Sequence, residues 1–228
     1  MRYEYLLFNI IVVAGPITLS FDRNTKFIRK WLPALTASIF VGIPFIIWDI
    51  AVTHSHWRFN PDYISGYSLI GLPLEEWLFF ITVPFACLFL WEVFLKRSSR
   101  VSHRDLFLKR IGVSLIALFV SLGATLLFFG KLYSGVVFLV SGLVLIADMV
   151  LQTRVFMRQT SLRFAGLLLL LITLFNGYLT ARPVVIYDPE FITNIRIGSI
   201  PVEDYFYGFA LVLGAVVIYE KLKEVYHV

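Results

Sequence analysis

Residues 72–77 read Leu-Pro-Leu-Glu-Glu-Trp, and residues 200–205 read Ile-Pro-Val-Glu-Asp-Tyr. The offset between them is 128 residues. It also carries Phe79 onto Tyr207, Trp91 onto Tyr219 and Glu92 onto Glu220. At an offset of 127, Asp49 falls on Asn176 and Thr53 on Thr180. Each half therefore reads Asp or Asn, a threonine four residues on, a long loop, a proline-led acidic pair with an aromatic residue, and a closing aromatic-Glu. Several matches in one order identify an internal duplication, and periodic self-similarity of this kind governs the fold.

The surroundings of these segments are apolar. Of the 228 residues, 59% are hydrophobic and only 15% charged, with mean hydropathy +0.82. A soluble domain has about 45–50% apolar and about 25% charged residues. Too little polar surface remains to cover a water-soluble globule, so part of the solvent must be lipid. Spans are expected at 3–21, 31–50, 72–95, 106–130, 133–152, 162–180 and 201–221, with a tight hairpin at Gly130-Lys131-Leu132-Tyr133. The first apolar run has Glu4 near its start and its basic cluster behind it, which favours a retained helix over a cleaved leader.

Spans one to three correspond to spans five to seven, a shift of four. An even shift gives both halves the same orientation, so they are expected to be related by an axis along the membrane normal. The expected fold is an all-α integral membrane bundle of seven transmembrane helices in a 3+1+3 parallel repeat. Its parts would be 1–100, a linking helix at 101–131, and 132–228. Fifteen of the 20 Lys and Arg residues fall in the loops after spans one, three and five or near the C-terminus. That asymmetry places the N-terminus outside and the C-terminus in the cytoplasm. Both acidic pairs then sit at the outer face, at helix starts. The net charge of +5 is a topology signal of this kind and does not point to nucleic acid.

Proline suits the first turn of a helix, and the dipole favours acids there. Ordinary helix-start residues would explain any one of Glu75, Glu76, Glu203 and Asp204. Four carboxyls in two matched pairs at the edge of the hydrocarbon point instead to function. Clustered carboxyls away from water cannot all ionise, so one can hold a proton as general acid beside an ionised neighbour. Neighbouring residues on a helix diverge by about 100°, so one acid of each pair should face the site and the other support it. Asp49, Asn176, Thr53 and Thr180 end the preceding spans. Trp57 and other rings lie nearby, mostly as expected of an interfacial belt. Phe79 and Tyr207 share helix faces with Glu75 and Glu203, where a ring can stabilise a cation. Arg196, seven residues before Glu203, is a candidate partner for an acid. Asp148 is expected to pair with Arg154 as a structural element.

A general acid, a base and aromatic walls suit protonation of an alkene, ring closure of the cation and loss of a proton. This is a redox-neutral isomerisation. No dinucleotide or phosphate-binding fingerprint is present, and the adjacent acids lack the spacing of a magnesium–diphosphate site. Single Cys87 and the scattered His54, His56, His103 and His227 offer no metal pattern. No cofactor and no metal are expected.

The stretches WDIAVTHSHWRF (48–59), GLPLEEWLFF (71–80) and IRIGSIPVEDYFYGFALVLGAVVIYE (195–220) resemble the membrane-integral, non-flavin lycopene cyclase family, in its fused form with both halves in one chain. The likeness covers nearly the whole sequence. It implies a cofactor-free lycopene β-cyclase of the cell membrane that converts lycopene to γ-carotene and then β-carotene. Glu75, Glu76, Glu203 and Asp204 would be catalytic, with Asp49, Thr53, Trp57 and Phe59 as motif positions. His56 stands where the family often has glycine. The implied partners are a lipophilic carotenoid and the bilayer, and the oligomeric state stays open. A cyclase for C50 carotenoids shares these motifs. A small proton-coupled transporter would need a polar path through the membrane, and a structural scaffold would leave the duplicated acids without a role.

Overall fold

The computed structural model describes residues 2–23, 25–97 and 105–227. The described residues form seven α-helices: α1 Glu4–Leu19, α2 Trp31–Val52, α3 Leu74–Arg97, α4 Asp105–Phe128, α5 Leu132–Leu151, α6 Gln159–Ala181 and α7 Val202–Tyr226. Six of them are long and apolar enough to cross a membrane. The exception is α1, with 16 residues where a span of 3–21 was expected. At about 1.5 Å per residue it is about 24 Å long. The expected boundary at 100/101 and the basic residues Arg100 and Arg104 lie outside the described residues.

Helices α1 and α2 both pack on α3, and α5 and α6 both pack on α7. The halves meet through α3 against α7 and through α2 against α7. Helix α4 lies on α5 and is the least enclosed of the long helices. Gly123 and Gly135 permit this pairing: a Cβ on Gly123 would come within 2.9 Å of the Gly135 carbonyl, and one on Gly135 within 3.0 Å of the Gly123 carbonyl. Small residues that let backbones touch are the usual device for helix association in lipid.

Six short strands shape the two long loops: β1 Trp57–Phe59, β2 Ser68–Leu69, β3 Leu72–Pro73, β4 Val185–Tyr187, β5 Arg196–Ile197 and β6 Ile200–Pro201. Strands β2 and β3 form a hairpin ahead of α3, and β5 and β6 repeat it ahead of α7. The prolines begin the helices from edge positions where no ladder donor is needed. Strands β1 and β4 pair antiparallel across the halves, with Trp57 opposite Tyr187, Arg58 opposite Ile186 and Phe59 opposite Val185. The 128-residue offset exchanges the outer two pairs and leaves the central one in place. The ladder thus straddles the pseudo-two-fold axis and ties the loops together above the helices.

At the opposite end lies a cluster of charges with the same symmetry. Glu92 pairs with Lys30, and Glu220 with Arg158 at 2.6 Å; Lys30 and Arg158 are again 128 residues apart. Lys223 bridges Glu92 at 2.7 Å and Glu220 at 2.6 Å. The Tyr219 hydroxyl donates to Glu92, and the Trp91 indole donates to Glu220, so each half supplies the ring that holds the other's acid. Buried carboxylates need this degree of pairing. Asp148 accepts from Thr153 and from the backbone N–H groups of Val155 and Phe156. The expected Arg154 pairing is thereby corrected: this acid orders the α5–α6 turn.

Candidate functional site

One cavity of about 410 Å³ runs between α1, α3, α6 and α7, beneath the β1–β4 ladder. Its polar end is formed by Asp49, Glu76, Asn176 and Asp204, with Tyr5, Tyr133, Tyr187 and Tyr207. Its remaining walls are apolar and reach Leu19 and Leu90 near the other end of the helices. Ile11 and Leu19 line it and are also exposed on the outside of the bundle. The cavity therefore opens sideways between α1 and α6. At the end nearest the loops that gap is bridged by Arg182 and Tyr178, which donate to Glu4, and by the Phe8–Phe175 ring contact at 5.7 Å.

The matched acids divide their work as the helical turn requires. Glu76 and Asp204 face the cavity, whereas Glu75 and Glu203 are not among its lining residues. Glu75 accepts the Ser65 backbone N–H at 2.6 Å, and Glu203 accepts the Thr193 backbone N–H at 2.7 Å. Ser65 and Thr193 are also 128 residues apart. These two acids fasten each loop to the start of its helix, and Ser134 adds a hydroxyl to Glu203 at 2.6 Å.

Around the inward acids the halves differ. Asp204 accepts three hydrogen bonds: from Tyr133 at 2.8 Å, Asn176 at 2.8 Å and Tyr187 at 2.7 Å. Glu76 accepts from Tyr5, the repeat counterpart of Tyr133. Asp49 lines the same polar end of the cavity as Glu76 and accepts from Tyr207 at 3.0 Å. Where the second half has the amide of Asn176, the first has a carboxyl.

Of the residues expected at the site, Asp49, Glu76, Asn176, Asp204, Trp57, Phe79 and Tyr207 line the cavity, as does Phe59. Thr53 and Thr180 do not. Their hydroxyls bond the carbonyls of Asp49 at 2.6 Å and Asn176 at 2.9 Å, ending α2 and α6 and thereby aiming the side chains one turn earlier. Arg196 donates to the Ser199 carbonyl at 2.8 Å and is exposed; it holds the β5–β6 turn, correcting the expectation that it pairs with an acid. Tyr5, Tyr133 and Tyr187 were not singled out in the sequence. The 128-residue relation between Tyr5 and Tyr133 was the available signal. Burial and the charge of Asp204 push the Tyr187 phenol well above its usual range, so it remains a donor. Among the described residues no three His, Cys, Asp or Glu side chains converge to hold a metal ion.

The pseudo-symmetry also breaks in the apolar walls. The α1–α6 groove is open, and its counterpart between α5 and α2 is filled. Gly208, which lines the cavity, corresponds to Phe80, which is fully buried against Gly42 and Phe45. Val41 of α2 and Val144 of α5 both approach Gly214 of α7.

No match was found among curated proteins or solved structures. The family model described as Lycopene cyclase matches twice, over residues 2–94 and 130–222, and the two matches are displaced by the same 128 residues that relate the acids, the tyrosines and the hairpins. Most of the chain is covered, once by each half, and this multi-pass membrane protein belongs to the lycopene cyclase family of carotenoid cyclases.

Proposed function

We propose that this chain is a lycopene β-cyclase that closes β-ionone rings on lycopene by proton-initiated isomerisation, giving γ-carotene and then β-carotene. The observation that carries this reading is the convergence of acids from both halves on the polar end of one apolar groove. The groove suits a long hydrocarbon arriving from the bilayer. Its blind end offers carboxyls and rings of Tyr, Trp and Phe, which favour a cation against their faces.

The chemistry balances without an oxidant or reductant. A carboxylic acid protonates the terminal alkene, and a tertiary cation forms. The next double bond attacks it to close a six-membered ring, which moves the cation into the ring. A carboxylate removes a proton from the adjacent carbon and restores a double bond. Electrostatic stabilisation by fixed groups aimed at the developing charge is the principal source of rate in such a site. With a single acid cluster, the two ends of an extended polyene must take turns, so γ-carotene is the obligatory intermediate.

We further propose that all seven helices cross the cell membrane, the shorter α1 included. The N-terminus and the acid cluster would lie on the outer side, and the Glu92–Glu220 charge cluster at the cytoplasmic side, as the distribution of basic residues favours. The apolar stretch between the two polar ends supports an enzyme over a transporter, which needs a continuous polar route.

The test is pigment analysis of a lycopene-accumulating bacterial host expressing this chain alone. Accumulation of γ- and β-carotene is expected. Unchanged lycopene in membranes that contain the protein would overturn the lycopene assignment. C50 carotenoids would then be the next substrate, and their failure as well would leave the transport reading.

A further inference from the structure

We infer that the two halves have separate roles: the Asp49–Glu76 pair of the first half holds the proton that starts ring closure, and Asp204 of the second half is the ionised carboxylate that faces the cation and takes the proton away. The inference rests on the cyclase reading for its reaction. The difference between the halves is independent of substrate.

The argument is one of hydrogen-bond stoichiometry. A carboxylate has only acceptors, and two carboxylates cannot hydrogen-bond to each other. Asp49 and Glu76 both line the polar end of the cavity, and each has one phenol donor: Tyr5 to Glu76 and Tyr207 to Asp49. One donor apiece does not hold two clustered, buried carboxylates, so the pair shares one proton, and it faces the cavity. Asp204 has the opposite surroundings. Tyr133, Tyr187 and the Asn176 amide all donate to it, and three donors on one carboxyl favour the ionised form. The Asp49-to-Asn176 difference, with Tyr187 in place of Phe59, converts an acid-holding site into a carboxylate-holding one. The titratable groups that act on the pair include Tyr5 from α1, Glu75 from α3, Asp204 and Tyr207 from α7, and Tyr187 from the loop. No cation is among these groups.

The cycle then closes on itself. The pair gives its proton to the terminal alkene, and Asp204 receives one from the new ring. Return of a proton from Asp204 to the pair restores both, and no net proton is consumed per ring.

Infrared spectroscopy of the purified full chain without substrate tests this, using variant-minus-wild-type spectra in the protonated-carboxyl region. Asp49→Asn is expected to remove a protonated-carboxyl band and to lower turnover by roughly 100-fold or more, the usual worth of a general acid, while carotenoid still binds. Asp204→Asn is expected to leave that band in place and also abolish turnover. Asn176→Asp is expected to add a second protonated band, because Asp204 would then share a proton as Glu76 does. Loss of the band in Asp204→Asn with retention in Asp49→Asn would reverse the roles and overturn the inference, as would an unchanged spectrum in Asn176→Asp. These spectra are recorded without lycopene, so failure of the lycopene assignment leaves them readable.

Discussion

Replacing Tyr187 by phenylalanine tests the carboxylate at Asp204 with the smallest available change. The ring stays, and with it the stacking on Tyr133 at 6.1 Å and the contact with Trp57 at 6.1 Å. Only the hydroxyl is lost, and with it one of the three donors to Asp204. Phenylalanine is also what the first half carries at the equivalent position, Phe59. A hydrogen bond to a charged group is worth about 1.5–3 kcal/mol, and one between neutral groups about 0.5–1.5 kcal/mol. A tenfold rate change corresponds to about 1.36 kcal/mol. If the bond holds an ionised carboxylate in place through the cationic transition state, kcat should fall about 10- to 150-fold. A neutral Asp204 would give about 2- to 13-fold. The assay is initial-rate conversion of lycopene in vesicles of known protein content, with membrane insertion verified for each variant. Tyr187→Phe turning over within twofold of wild type would refute the view that Asp204 works as a carboxylate held by its donors.

Several other perturbations separate substrate access, stability and loop packing. Gly208→Phe gives the second half the residue of the first and should fill the groove: carotenoid binding and turnover should both fall at least tenfold in correctly inserted protein, because the nearest obstacle to a new side chain is the flexible end of Ile172 at 2.9 Å and the helix can tolerate the change. Lys223→Met leaves Glu92 its bond to Lys30 and Glu220 its bond to Arg158, so thermal unfolding in detergent should show a loss below roughly 3 kcal/mol; removing Lys30 as well strands Glu92 and should bring the loss to about 3–5 kcal/mol. Burial pulls the His56 imidazole below its usual range, against an opposing pull from Asp188. A depressed imidazole contributes stability that is complete above the unfolded value of about 6.5 and lost as pH falls below it. Unfolding temperature should therefore drop on acidification, and His56→Phe, which keeps the ring against Phe191, should lose part of that pH dependence.

Much of this architecture was legible because it was written twice. The hairpins, the proline-led helix starts and the acidic pairs all repeat at one offset, and composition alone required lipid. Which acid of each pair turns inward was not legible. It depends on where the loops dock, and the loops are fixed by Ser65 and Thr193, whose backbone N–H groups carry no side-chain signature. Whether Thr53 and Thr180 touch the site or support it was not legible for a related reason. A threonine four residues after a polar residue fits a site and a helix end equally well, and only its hydroxyl bond to the carbonyl one turn back distinguishes them. Tyr187 was hidden because its counterpart is Phe59, so a search for repeated polar residues passes over it.

That kind of hidden position is where the catalytic asymmetry resides. A strict duplication places identical groups around a two-fold axis, and identical acids that share a proton have nothing to fix which of them carries it. Ring closure needs a proton source and a proton acceptor together, on opposite sides of the same cation. Asp49 opposite Asn176 supplies the difference in charge state, Phe59 opposite Tyr187 the difference in donor number, and Phe80 opposite Gly208 the difference in space. Each is a change at a position that the repeat itself identifies. Because the three changes act on one shared cavity, a chain assembled from two copies of either half would keep the helices, the hairpins and the ladder register. Two first halves would place a proton-sharing pair on each side with no held carboxylate. Two second halves would hold two carboxylates with no donor. Neither should cyclise, although both should fold, and their failure would trace to the site and not to the bundle.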